Sequence, residues 1–311
     1  MQLSVVICTH QPKTNILART LSSLKAQSLS SGKWETLLID NASQPAIGAP
    51  SLVPFSPDNL RIIIEPQLGL THARKAGLRD AFGEIVVFVD DDNVLAHDYL
   101  EQVLAAFTRL PRVGAIGGKS LGEFEIPPSP AFDEFHPLLA IRNLGDSELI
   151  SNGLRQPGSE INSYPLFAPI GAGMAVRREA IQPWLKCESS LSDRRGKELS
   201  SSGDNDIVLT IMEAGWEVAY IPQLSLTHLI PTERIEPNYL ASLNHGIQRS
   251  WTQVLLAHHA CPWPRISRWS VPFRKIKSWL AHRAWSSPAS FIRWQGACGH
   301  FEGRALTRPT H

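Results

Sequence analysis

Residues 85–89, Ile-Val-Val-Phe-Val, run without a polar interruption and are followed at once by Asp90, Asp91 and Asp92. A short β-branched run with no water-facing side predicts a strand buried on both faces of a sheet. The three carboxylates repel one another and resist desolvation, so they predict an exit of the chain into a place that offers hydrogen bonds, solvent or a cation. In open α/β sheets such strand ends are where ligands bind.

The flanking pattern extends this frame. Residues 3–8 form a second compact apolar run, followed by Ile16, Leu17, Leu21 and Leu24 at helical spacing. Residues 34–39 and 61–65 predict further strands, the first ending at the turn-forming Asp40-Asn41-Ala42-Ser43. Residues 69–82, stopped by Gly83, and 99–110 predict helices, and 113–117 a strand. Further on, 172–176 reads as a strand, 206–213 as a helix, and 217–221 with 224–227 as two short strands. Residues 46–59 read as loop; 122–162, rich in proline and turn formers, as the lining or cover of a cleft. Strands alternating with helices predict an α/β fold with a mostly parallel central sheet flanked by helices.

Composition narrows the classes. With 311 residues, 43% hydrophobic and 19% charged, the chain is not wholly disordered. Cys8, Cys187, Cys261 and Cys298 are scattered, with no CxxC or zinc-like spacing, so a reducing cytosol is expected. The first ten residues do not read as a signal peptide, and no stretch reaches the roughly 18 apolar residues of a membrane span. The expectation is a cytoplasmic protein, soluble or peripheral at the inner face of a membrane.

The formal net charge of +1 conceals a division. Residues 251–311 carry nine Lys and Arg against the single acid Glu302, a net of +8. The same stretch holds six of the nine tryptophans: Trp251, Trp263, Trp269, Trp279, Trp285 and Trp294. This mixture suits an anionic membrane surface, where indoles sit at headgroup depth and cations meet lipid charge. It equally suits a helical layer whose tryptophans pack on the core. Nucleic acid is not expected as a partner. Pro262, Pro264, Pro272 and Pro288 divide the stretch into short pieces.

Several side chains are placed for chemistry. An extended trace points Asp90 and Asp92 the same way, so a divalent cation can bridge them to phosphate oxygens; a solvated turn capping the next helix is the alternative. Asp40, at another strand end, can accept from a nucleobase or ribose, or close an Asx turn with Asn41 and Ser43. Arg74 sits near a helix start that favours anions, where it can pair with phosphate or hold the acidic loop. No GxGxxG or GxxxxGK sequence occurs. Asp204 and Asp206 precede an amphipathic run, as general bases or as helix caps. His228 follows an apolar run and offers a nitrogen to a metal.

In combination these residues resemble family 2 glycosyltransferases of the GT-A nucleotide-sugar-binding fold. The matching pieces are Val5-Val6-Ile7-Cys8-Thr9-His10, Leu38-Ile39-Asp40-Asn41-Ala42-Ser43, Gly69-Leu70-Thr71-His72-Ala73-Arg74, Phe88-Val89-Asp90-Asp91-Asp92 and Gly203-Asp204-Asn205-Asp206. The resemblance spans about residues 1–250. It implies a donor-nucleotide half near 1–120, an acceptor half near 121–250 and a C-terminal helical basic and aromatic extension at 251–311. It also implies inverting transfer of a sugar from a nucleoside-diphosphate sugar to a hydroxyl of a carbohydrate or lipid-linked acceptor.

By the same resemblance, Thr9 and Asp40 lie by base and ribose, Arg74 lies near the donor, and Asp90 and Asp91 engage ribose and diphosphate. Asp92, with His228, is the expected ligand set for Mn2+ or Mg2+. Asp204 falls at the family's catalytic carboxylate, with Asp206 the alternative because Gly203 precedes Asp204 where the family commonly has Glu. The segment 227–234 resembles a loop of bacterial enzymes that make surface polysaccharides, which brings Arg234 to the diphosphate. Residues 171–174 are expected beside the acceptor. A metal-dependent nucleotidyltransferase and a non-catalytic nucleotide-sugar binder are the competing readings.

Overall fold

The computed structural model describes residues 1–48, 52–151, 153–154, 162–187 and 202–306. Residues 49–51 of the expected loop, 152 and 155–161 of the expected cleft segment, and Arg308 lie outside the described residues. Strands β1 (Leu3–Thr9), β2 (Trp34–Asn41), β3 (Leu60–Glu65) and β4 (Ile85–Asp90) pair in parallel in the order β3-β2-β1-β4. They continue through β8 (Ala175–Arg177) to β6 (Val113–Phe124), β9 (Glu217–Ile230) and β5 (Asn93–Leu95), with β7 (Leu149–Ile150) paired to β9. β8 is antiparallel to both β4 and β6, and β6 is parallel to β9, so the sheet is parallel in its first half and mixed in its second.

Alternation along the strands builds two layers. Leu3, Val5 and Ile7 of β1 and Val87 and Val89 of β4 face one way, against Leu17, Leu21 and Leu24 of α1 (Thr14–Lys25). Leu100, Val103 and Phe107 of α3 (Tyr99–Arg109), numbered after α2 (Leu70–Asp80), complete that layer. Val6, Val86 and Phe88 face the other way, against α2, α4 (Arg178–Lys186) and α5 (Gly203–Glu213). Both faces of β1 and β4 are thus covered, which is why their sequences are apolar without alternation.

Two expected elements differ. The short strands at 217–221 and 224–227 are ladder segments of the single strand β9, offset by a register shift where Gly117 and Lys119 pair with Tyr220 and Ser225. A Cβ on Gly118 would lie 1.9 Å from Leu224 O, so the shift needs glycine for close backbone approach. The boundary expected at residue 250 falls inside α6 (Pro237–Ala257), a continuous helix.

After α6 come α7 (Val271–His282) and α8 (Pro288–Ala305). α8 lies against α6 through Gly296, Gly299 and Gly303, spaced to share one helix face. Leu240, Leu243 and Ile292 join Phe135 and Leu139 of the 3-10 segment Pro130–Leu139 in a separate apolar cluster. Part of the tryptophan-rich tail therefore packs: Trp251 meets Tyr164, and Trp279 meets Trp294, each edge to face. Among the described residues no helix is long and apolar enough to cross a membrane.

Candidate active site

The acidic triplet bridges β4 and β5. β5 has only three residues, but its pairing with β9 sets Asn93 opposite His228, and Leu229 N donates to Asp92 O at 2.8 Å. That pairing brings His228, distant in sequence, to the carboxylates. Asp92 is buried; its Oδ1 accepts from Asn93 Nδ2 at 3.0 Å, while its Oδ2 faces Arg234 Nη1 at 3.0 Å and His228 Nε2 at 3.3 Å. Burial works against the Arg234 cation, but the charges of Asp92, Tyr239, Asp91 and Asp90 together outweigh it and hold the guanidinium above its ordinary pKa.

Asp91 turns the other way. Thr9 Oγ1 donates to its Oδ2, and Thr20 Oγ1 donates to its backbone carbonyl at 3.0 Å. Burial, then the charges of Asp92 and Asp90, push its carboxyl up to about 7, with the Thr9 hydrogen bond opposing them. Thr9 thus contacts the acidic loop directly.

The two late acids separate. Both lie in the first turn of α5, but two residues along a helix is a rotation of about 200°, so they leave on opposite sides. Asp204 Oδ2 accepts from Gly171 N at 2.9 Å and its Oδ1 from Asn205 N at 3.0 Å, and the residue lines the central cavity. Asp206 does not line it. Its carboxylate accepts from Trp184 Nε1 at 2.8 Å and pairs with His258 Nε2 at 2.8 Å, while His258 Nδ1 meets Glu213 Oε1 at 3.0 Å. Burial disfavours the His258 cation, but hydrogen bonds to Asp206 and Glu213 prevail and raise its pKa to about 9. Asp206 fastens α5 to α4 and to the C-terminal end of α6, outside the cavity.

The cavity has a volume of about 450 Å³, within the range of small-ligand sites. Its polar wall includes Thr9, Arg74, Asp90, Asp91, Asp92, Asp204, His228 and Arg234. Arg74 is buried, its guanidinium carbon 5.7 Å from the centre of the Phe88 ring. A Cβ on Gly171 would lie 2.6 Å from Arg74 Nη2 and 3.6 Å from Asp204 Oδ2, so the two functional side chains meet at this glycine. The cavity includes Gly171 and Ala172 of the expected acceptor-side segment 171–174.

Asp40 is absent from that wall. It is 1% exposed, and its carboxylate accepts from Ser43 N at 3.2 Å and Ile47 N at 2.8 Å. The turn alternative describes its contacts here. Its neighbour Asn41 lines the cavity, accepting from Gly69 N and donating to Glu65 O and Gln67 O, thereby joining the ends of β2 and β3 to the start of α2.

The opposite wall comes in part from the expected cleft segment 122–162, but its α6 residues carry no sequence expectation. Residues 137–140 and Tyr239, Leu243 and Ile247 of α6 close the cavity with a largely apolar surface. The signal available was the spacing of these three α6 residues, four apart along one face.

Asp92 Oδ2 and His228 Nε2, 3.3 Å apart, are close enough to share one cation. His228 Nδ1 is buried without a hydrogen-bond partner, and its Nε2 also lies 3.3 Å from Arg234 Nη1. No group of three or more His, Cys, Asp or Glu suited to a metal occurs among the described residues. The pair therefore fits a divalent ion that brings phosphate oxygens with it, the usual habit of Mg2+, and does not fit an all-protein cage.

Comparison with known proteins places the chain in a family. Residues 4–183 match the model of the family described as Glycosyl transferase family 2. The succinoglycan biosynthesis protein ExoM of Rhizobium meliloti is 23% identical over 279 residues, covering 82% of this chain and 80% of that protein. Glycosyltransferase AglE of Haloferax volcanii is 32% identical over 129 residues, covering 40% of each. Among solved structures, S. aureus TarS 1-349 in complex with UDP shares the fold, with a TM-score of 0.52 at 14% identity over 97% of this chain and 89% of that one.

Proposed function

The chain belongs to glycosyl transferase family 2, and on that premise we propose that it is an inverting enzyme moving a sugar from a nucleoside-diphosphate sugar to an acceptor hydroxyl. The observation that carries this reading is one cavity lined by the Asp90, Asp91 and Asp92 loop, by Arg74 and Arg234, and by Asp204. The UDP in the TarS structure supports a nucleoside diphosphate as the donor's leaving part.

In this reading Thr9 and Asp91 hold the nucleoside side of the donor, with Asp40 shaping the turn beneath it. Arg74 and Arg234 meet the charge that grows on the departing diphosphate. Asp92 and His228 would hold Mn2+ or Mg2+, which when bound neutralises further charge on that group. Asp204, held by Gly171 N, takes the proton from the acceptor hydroxyl. The hydroxyl oxygen forms its bond to the anomeric carbon as the bond to the diphosphate oxygen breaks on the opposite face, so the configuration inverts and no covalent sugar-enzyme intermediate forms.

We further read the product as part of a cell-surface polysaccharide or glycolipid, with a carbohydrate or lipid-linked acceptor, and the chain as peripheral at the cytoplasmic face of a membrane. The similarity to ExoM supports the former, and the charge of the tail the latter.

The test is a turnover screen of UDP-, GDP-, CDP- and TDP-sugars with Mn2+, with mass detection of the products. Release of a nucleoside diphosphate together with sugar transfer, lost in Asp204→Asn, is expected. Release of pyrophosphate would identify a nucleotidyltransferase instead, and donor binding with no turnover across a broad acceptor panel a non-catalytic binder.

A further inference from the structure

Helix α7 is packed with its amphipathicity reversed. Toward α8 it directs Ser278, which is buried, and Lys275, whose ammonium reaches Glu302, while Trp279 supplies the aromatic contact. Toward solvent it directs Phe273, Ile276 and Leu280, exposed by 75%, 62% and 60%, in line with Trp269, exposed by 75%, on the preceding turn. Steps of four, three and four residues put these side chains on one stripe along the helix. A helix that buries serine and exposes phenylalanine is stable in water only because α8 holds it, and its outer face is suited to a different medium.

The charges beside the stripe identify that medium. Arg274 and Lys277 flank it on the helix, and Arg268 and Arg283 stand at its two ends. None of these four pairs with a carboxylate among the described residues, whereas Lys275 on the packed face does. Glu302 is the only acid in the whole tail, and Lys275 and His245 already hold it. A second copy docked stripe to stripe would set one row of cations against another with no acid between them, so two-fold association through this face is disfavoured. An anionic lipid surface reverses every one of those interactions: Trp269, Phe273, Ile276 and Leu280 enter the headgroup and upper acyl region while the cations meet lipid phosphates.

We infer that the outer face of α7, with Trp269, Phe273, Ile276 and Leu280 as its apolar edge and Arg274 and Lys277 as its basic flank, is the surface by which this protein lies on an anionic bilayer. This rests on the peripheral-membrane reading above and deepens it by naming the surface; it is independent of the donor chemistry. Trp279 and Trp294, which pack on each other, are excluded from the contact, and α8 acts as the platform that fixes α7 to α6 and so to the cavity wall.

The experiment is flotation of the full chain with vesicles of phosphatidylcholine alone and of phosphatidylcholine with phosphatidylglycerol, with tryptophan emission recorded in the same samples. The wild type is expected to float with the anionic vesicles and to show blue-shifted emission. The pairs Ile276→Ser with Leu280→Ser, and Arg274→Glu with Lys277→Glu, are each expected to weaken partitioning about tenfold or more. All four side chains are exposed, so unchanged melting is expected alongside. Wild-type binding that both variant pairs retain would overturn the assignment to α7 while leaving the membrane reading intact. Failure of the wild type to bind either vesicle would overturn both, as would a dimer in light scattering that the serine pair dissolves without any vesicle binding. Nucleotide binding, measured without vesicles, stands outside all of these outcomes.

Discussion

Asn93 stands directly opposite His228 across the ladder of β5 and β9, and the same pairing lets Leu229 N donate to Asp92 O. Two sequence regions more than a hundred residues apart are thereby fixed at backbone level. The Asp92 carboxylate then has both His228 and Arg234 at its Oδ2, 3.3 Å from each other, without depending on a loop for its position.

That rigidity makes the role of Asp92 testable by binding alone. In Asp92→Asn the volume stays and the charge goes, so the pair that would share a cation is lost and Arg234 loses its counter-charge. Chelation should weaken nucleoside-diphosphate affinity of the wild type by about tenfold or more, and Asp92→Asn should show that weaker affinity with or without Mn2+. Calorimetry in Mn2+ and in EDTA makes the comparison. A variant that kept the full Mn2+ enhancement would remove Asp92 from the ligand set.

Asp204→Asn and Asp206→Asn should fail differently, although the two residues are neighbours on one helical turn. The first removes the proton acceptor and should lower kcat about 10²–10⁴-fold while leaving donor affinity and melting temperature nearly unchanged. The second breaks the buried pair with His258 and should cost about 1–3 kcal/mol of stability, with kcat of the folded enzyme within an order of magnitude of wild type. Parallel melting curves and steady-state rates separate the two. Equal loss of kcat in both, at unchanged stability, would place Asp206 in the chemistry after all.

The contrast between these aspartates also marks how far the sequence carries. β1 and β4 were legible because burial on both faces leaves an unbroken apolar run, and the ends of such strands announce Thr9 and the acidic triplet. β5 was not, because three residues carry no period, so periodicity does not join His228 to Asp92; only the family resemblance pairs them. Asp204 and Asp206 look alike in one dimension; only the partners on α4 and α6, Trp184 and His258, tell them apart. Asp40 was equally ambiguous, since a carboxylate at a strand end can serve a ligand or its own turn. In the tail, composition showed the basic and aromatic mixture but not the division of its tryptophans between packing and exposure, which depends on which face of α7 meets α8.

His258 gives the fold a dependence on alkaline pH. Its folded pKa of about 9 lies above the ordinary 6.5, because both ring nitrogens face carboxylates. A raised folded pKa means that the stabilisation is fully present below about 6.5 and is lost as pH rises through about 9. The whole contribution is on the order of 3 kcal/mol, reduced by whatever solvent reaches the site. Urea midpoints should therefore fall between pH 7 and pH 9.5 in the wild type and stay flatter over that window in His258→Gln. Parallel profiles for the two proteins would show that the ring does not carry the charge assigned to it.

Gly299 tests whether α8 is held to α6 as closely as the structure has it. Helix propensity alone predicts that Gly299→Ala, inside α8, stabilises the protein by about 1 kcal/mol. Contact geometry predicts the opposite: the new Cβ would lie 2.1 Å from the backbone oxygen of His245 and 2.9 Å from its carbonyl carbon. Backbone atoms inside a packed helix cannot rotate away as a side chain does, so α8 must lift from α6, at a net cost of about 1–3 kcal/mol. Because α6 carries Tyr239, Leu243 and Ile247 on the cavity wall, the shift should also raise the KM for the acceptor more than that for the donor. Urea unfolding gives the sign directly. A raised midpoint would mean that propensity wins and that the two helices stand further apart, while a lowered midpoint with a selective acceptor defect would tie the tail's packing to the active site.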